Sequence, residues 1–97
     1  MPHLDVDQAI RAAKSFVLRV LAEEEPVNVG LEEVEFDDRA GIWQVTIGFS
    51  RPWDRPGALF GLEPTSSLKR AYRVVTVSDS SGEAISMKRR DIADVDA

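Results

Sequence analysis

One N-terminal helix packed on a four-stranded antiparallel meander, an α+β domain, is the fold class that this sequence predicts. Three observations carry the prediction. Apolar residues recur near every 3.6 positions from residue 5 to about 24, the signature of a helix with one buried face. Apolar and polar residues alternate strictly over 42–50, as in a strand with one face covered. Two turn-forming runs, Asp38-Arg39-Ala40-Gly41 and Asp79-Ser80-Ser81-Gly82, separate segments that read as paired strands. With 97 residues, the chain fits a single domain spanning 1–97.

The helix comes first. Val6, Ala9, Ile10, Ala13, Phe16, Val17, Val20 and Leu21 fall on one stripe, and Leu18 lies outside it. Asp5 followed by Gln8 matches a capping box, which makes Asp5 the expected N-cap. Arg11, Lys14, Ser15 and Arg19 take the solvent side, and Pro26 ends the helix. Glu23, Glu24 and Glu25 stand at the negative end of the helix dipole, where they call for basic groups from elsewhere or a frayed last turn.

Four strands follow. Residues 31–37 place Val34 and Phe36 toward the core and Glu33, Glu35 and Asp37 outward. Residues 42–50 direct Trp43, Val45, Ile47 and Phe49 inward, with Gln44, Thr46, Gly48 and Ser50 on a wetter face. Residues 68–78, centred on Tyr72 to Val77, form the third strand, and 83–89 the fourth, with Ile85 and Met87 sharing a face. An acidic tail, 91–97, closes the chain.

Between the second and third strands, residues 51–67 break every period with three prolines and two glycines. Trp53, Leu59, Phe60 and Leu62 nevertheless place four large apolar groups there. Loops of this length are uncommon in compact domains and are often functional. Arg51, Trp53 and Arg55 are residue types favoured at binding hot spots. Two readings stand side by side. The loop covers the sheet's second face, or it meets a partner.

Composition bounds the function. The net charge is −5, which opposes a nucleic-acid binder that relies on overall charge. The charge is polarised: residues 1–39 hold ten acids and four bases, residues 40–90 four acids and eight bases. Lys69, Arg70, Arg73, Lys88, Arg89 and Arg90 are expected at one end of the last hairpin. There they form a patch for an acidic partner or for nucleic acid, or pair with the acidic front of the same chain; internal pairing is the favoured reading. Absent cysteine removes disulfides, thiolate metal sites and cysteine nucleophiles. With no basic or apolar leader in the first residues and no apolar run near ~20 residues, the sequence predicts a cytoplasmic chain that does not enter a membrane.

Residues with chemical potential are few. His3 is the single histidine and reads as an ordinary surface residue. The acids Glu32, Glu33, Glu35, Asp37 and Asp38 lack EF-hand spacing and read as a solvated strand face. Ser66, Ser67, Ser80 and Ser81 have no nucleophile elbow and no second histidine, so turn formation explains them. Gly57 and Gly61 do not make a phosphate loop. No catalytic residue, metal or cofactor is expected.

Three stretches carry a resemblance to a known family: Asp7-Gln8-Ala9-Ile10-Arg11-Ala12-Ala13 as an opening helix, Gly41-Ile42-Trp43-Gln44-Val45-Thr46-Ile47 as a strand after a turn, and Tyr72-Arg73-Val74-Val75-Thr76-Val77 with Ser81-Gly82-Glu83-Ala84-Ile85 as a closing hairpin. Together they resemble the PepSY-like domains within the broader cystatin-like set of shapes. That family typically sits outside the cytoplasm, whereas these first residues carry no export signal. The resemblance implies a non-catalytic domain that binds or inhibits another protein, and it brings no catalytic motif.

The expected function is a non-enzymatic protein-binding module. Its candidate contact residues are Arg51, Trp53, Arg55, Leu59, Phe60, Leu62, Arg70 and Arg73. The alternative is a self-associating domain that builds a homodimer through an exposed sheet face or edge. A small enzyme is the reading with least support.

Overall fold

The structure, a computed structural model, describes residues 3–52 and 70–90. Its elements are helix α1 (Val6–Val20), a 3-10 turn (Ala22–Glu24), and strands β1 (Val27–Asp37), β2 (Ile42–Ser50), β3 (Ala71–Ser78) and β4 (Ala84–Arg89). The strands form one antiparallel sheet in the order β1-β2-β3-β4. The expected α+β architecture is therefore the observed one.

Helix α1 begins as the sequence predicts. The Asp5 side chain accepts from the Gln8 N–H at 2.8 Å, and the Gln8 side chain accepts from the Asp5 N–H at 2.8 Å. Two N–H groups that the first turn leaves unpaired are thereby satisfied. Asp5→Ala should cost about 1 kcal/mol of stability, read as a lower urea midpoint with an unchanged slope.

The buried stripe is narrower than the periodicity suggested. Ala9, Ala13, Val17 and Leu21 are buried, and Ile10 and Phe16 are half-buried. Val6 and Val20 are exposed. The spacing of four drifts around a 3.6-residue helix, so the row from Ala9 to Leu21 turns as the helix crosses the sheet. The two alanines let the backbone approach closely at the start. The helix also ends sooner than residue 24: the chain tightens at Ala22–Glu24, and Glu25 takes the left-handed conformation (φ 52°) before Pro26. The acidic end is compensated, since Arg51 reaches Glu24 at 3.2 Å.

Strand β1 starts at Val27 rather than at residue 31. Its first half carries no clean alternation because the register against β2 slips twice, between Val27 and Gly30 and between Leu31 and Glu33. Asn28 sits at φ 54° within this stretch. Such irregularities bend a strand and confuse a period-2 pattern. From Val34 onward the expected faces hold: Val34 and Phe36 pack on the core opposite Val45 and Trp43.

Strand β2 supplies most of the sheet's share of the core. Trp43, Val45, Ile47 and Phe49 are buried with Val75 and Val77 of β3. Its other face is not the wetter one that alternation implied. Gln44 is exposed, but Thr46, Gly48 and Ser50 are buried. Arg90 donates to Thr46 Oγ1 at 2.9 Å, and the Glu32 and Arg70 side chains lie over Gly48 so closely that a Cβ there would stand 2.6 Å from Glu32 Oε2.

Strand β4 also departs from expectation. A register shift between Thr76 and Val77 sets Ala84 opposite Val77 and Met87 opposite Val75. Met87 packs on the core, whereas Ile85 is left 60% exposed. The extra residue of a bulge turns one side chain out of sequence.

Candidate functional site

The sheet has two chemically different ends, and α1 runs between them. At one end the chain start is bound to the β3–β4 turn. At the other, β2 ends, β3 begins and β4 ends. Arg51 and Arg70, the described flanks of the long loop, lie at this second end, and so do Arg73, Lys88, Arg89 and Arg90.

Half of these cations are paired internally. Arg70 reaches Glu32 Oε2 at 3.2 Å and donates to the Asn28 carbonyl at 3.0 Å. Arg90 pairs with Glu33 and donates to Thr46. Arg51 pairs with Glu24. The acids of β1 are thus partly consumed by the basic end, as the polarised charge suggested. Among the described residues, Arg73, Lys88 and Arg89 have no acidic side chain within ion-pair distance.

Arg73 occupies an unusual place. It lies on the helix-facing side of β3, opposite Ile47 on β2 and Arg89 on β4. Its guanidinium stands 5.4 Å from the Phe49 ring centroid, and that of Arg51 stands 5.7 Å from the same ring. Phe49 is fully buried, with both cations within cation–π range of its ring. The Arg73 group also donates to the Tyr72 carbonyl at 3.0 Å. Burial pushes its pKa down, and Arg51 and Arg89 push in the same direction, while Glu24 opposes them. Positive charges have been gathered around one buried ring, and among the described residues Arg73 bonds only the Tyr72 carbonyl.

On the opposite face of the sheet, Glu33, Glu35, Gln44, Thr46 and Val74 line a groove of about 420 Å³ with the Lys88–Arg90 run. One wall is acidic and the other basic, and the Arg90–Glu33 pair bridges them.

The far end of the sheet holds a carboxylate that the sequence reading treated as a turn residue. Asp79 is buried. Its Oδ1 accepts from the Leu4 N–H and from the Trp43 indole N–H, both at 3.0 Å. Its Oδ2 accepts from the His3 N–H at 2.7 Å and faces His3 Nδ1 at 3.2 Å. Burial alone would raise its pKa. The backbone N–H groups of Leu4 and His3, then the Trp43 indole and the His3 ring, outweigh that and hold it well below the usual carboxylate range. The only sequence-level signal was indirect: a Trp on a buried strand face needs a partner for its N–H.

His3 is a surface residue, its side chain 73% exposed, and it is also tied to Asp79. Among the described residues its ring bonds only Asp79. The turn serines bond locally: Ser78 Oγ with Ser80 Oγ at 3.2 Å, and Ser81 Oγ with the Glu83 N–H at 3.2 Å. No group of three or more His, Cys, Asp or Glu among the described residues could hold a metal ion. No helix among them is long and apolar enough to cross a membrane.

Of the candidate contact residues, the fold brings Arg51, Arg70 and Arg73 to one end of the sheet. Trp53, Arg55, Leu59, Phe60 and Leu62 lie outside the described residues, as do Gly57, Gly61, Ser66, Ser67, Lys69 and the acidic tail. No protein-family model matches this chain, and neither a curated protein nor a solved structure does.

Proposed function

We propose that this chain is a non-enzymatic protein-binding module, acting through the end of the sheet to which the 51–62 loop is attached. The observation that carries the reading is the division of charge at that end. Arg51, Arg70 and Arg90 are spent on Glu24, Glu32 and Glu33, while Arg73, Lys88 and Arg89 have no described acid within ion-pair distance. Structural pairing accounts for the first group and leaves the exposed Lys88 and Arg89, with Arg73 opposite Arg89, for a partner. The single histidine, spent on Asp79, supports a role without catalysis. The PepSY-like and cystatin-like resemblance points the same way, toward binding or inhibition of another protein. A cysteine-free chain suits the cytoplasm.

Homodimerisation through a sheet edge is the weaker reading. Strand β1 is interrupted by two register slips, and β4 carries Lys88 and Arg89, whose like charges oppose pairing with a second copy. Both features resist pairing between copies.

The test is capture of a partner from a lysate of the native cell by the intact chain and by Trp53→Ala. The expected result is a specific protein retained by the first and lost by the second, with matching circular dichroism. Capture by both chains alike would remove the loop from the proposal. An unfolded Trp53→Ala protein would assign that side chain to covering the core.

A further inference from the structure

Among the described residues β4 is the outer strand of the sheet and no strand pairs with its outer edge, which lies beside Arg73, Lys88 and Arg89. Arg90 donates its N–H to the Tyr72 carbonyl, and Val74 stands opposite Lys88. In an antiparallel ladder, alternate residues turn their N–H and C=O groups to the neighbouring strand. The groups of Lys88 and Arg90 thus face β3, and those of Met87 and Arg89 face outward. Lys88 and Arg89 are exposed on this edge, and Arg73 lies opposite Arg89.

We propose that β4 accepts an extended acidic segment of a partner protein by strand addition, with Lys88 and Arg89 reading its carboxylates and Arg73 adding positive charge to the same face. This rests on the binding-module reading above and names its partner's chemistry. The backbone of Met87 and Arg89 supplies hydrogen bonds of any sequence, and the side chains supply selection. A partner residue opposite Arg89 projects on the side where Arg89 and Arg73 stand. Its neighbour in the chain projects toward Lys88. Opposite charges directly across a strand pair are favourable, so consecutive Asp or Glu residues fit. The Arg73 guanidinium is held over Phe49, on the β2 side of β3, so it acts on the segment through its charge rather than through a direct bond.

A single-stranded nucleic acid fits less well. Such ligands stack bases on accessible aromatic rings; among the described residues Phe49 is fully buried, Tyr72 is half-buried, and Phe16 has the Arg19 guanidinium 5.3 Å from its ring centroid. The acidic first third of the chain would also repel a long polyanion.

Fluorescence anisotropy at low salt tests the proposal. The probes are a labelled valine–threonine peptide with glutamates at its centre, its lysine-centred counterpart, and oligo-dT of equal length. The glutamate peptide should bind and weaken as NaCl rises. Arg89→Gln should weaken it about five- to tenfold, and Arg73→Gln by less. Arg89 is exposed, so its variant keeps the fold; Arg73→Lys keeps the charge and should bind nearly as well as wild type. Hydrogen exchange at the Met87 and Arg89 amides should slow in the complex. Tighter binding of oligo-dT, no peptide binding, equal binding by Arg89→Gln, or unslowed exchange at those amides would each overturn the proposal. A cellular partner captured equally well by Arg89→Gln would do so too, while leaving the binding-module reading in place.

Discussion

Asp79→Ala is expected to lower the melting temperature at neutral pH by roughly 10–15 °C, the largest loss for any polar substitution in the described fold. The reason is the number of donors on one carboxylate. Without it the Trp43 indole N–H and the Leu4 and His3 N–H groups lose their acceptor, at a site where Trp43 is only 7% exposed. Buried donors left unpaired cost more than the bonds contributed. Asp79→Asn should fall between the two proteins. Its carbonyl oxygen can replace Oδ1 toward Leu4 and Trp43, but its amide turns a donor toward His3. The pH dependence follows from the depressed pKa. A carboxyl that ionises more readily in the native than in the unfolded chain stabilises the fold above its unfolded pKa, about 3.9. That stabilisation fades as the pH falls from there through the lower native value. The wild-type melting temperature should therefore drop below about pH 4, and its advantage over Asp79→Asn should shrink in the same range. Thermal scans by circular dichroism from neutral to acid pH check both statements. An advantage unchanged at low pH would mean that the Asp79 charge is not what holds the chain start.

This clamp also shows where legibility in the sequence ends. The features read correctly are local. The capping box needs only Asp5 and Gln8, and the inward face of β2 needs only alternation over nine residues. What escaped is non-local or irregular. Asp79 meets His3 across 76 positions and Trp43 across 36, distances at which no periodicity operates. The early start of β1 and the exposed Ile85 were hidden by register slips, each of which shifts a pattern by one residue. Charge lay between these cases. Polarisation along the chain announced pairing between acidic front and basic back, and Arg70–Glu32 and Arg90–Glu33 realise it. Which cations have no described acid within ion-pair distance depends on the face and end to which the register assigns each one. Adjacent positions such as Lys88, Arg89 and Arg90 therefore take different roles.

Phe49 joins the stability of the fold to the proposed recognition of carboxylates, and two substitutions should separate them. Phe49→Ala removes a fully buried ring from the middle of the core and should cost about 3–5 kcal/mol. Small domains have only about 5–15 kcal/mol in total, so this variant should be marginal at 37 °C. Phe49→Leu keeps an apolar side chain in the space and should cost about 1.5 kcal/mol or less for the repacking. The cation–π contacts of Arg51 and Arg73 add about 0.5–2 kcal/mol to that loss. The folded leucine protein is the informative one. It keeps Arg73 and its charge but removes the ring that holds the guanidinium in place, so the glutamate-centred peptide should bind slightly more weakly than to wild type at equal salt. Urea titration measures the first effect and anisotropy the second. A leucine variant that is folded and binds the peptide with full affinity would mean that Phe49 serves the core alone, and that the Tyr72 carbonyl suffices to hold Arg73 in place.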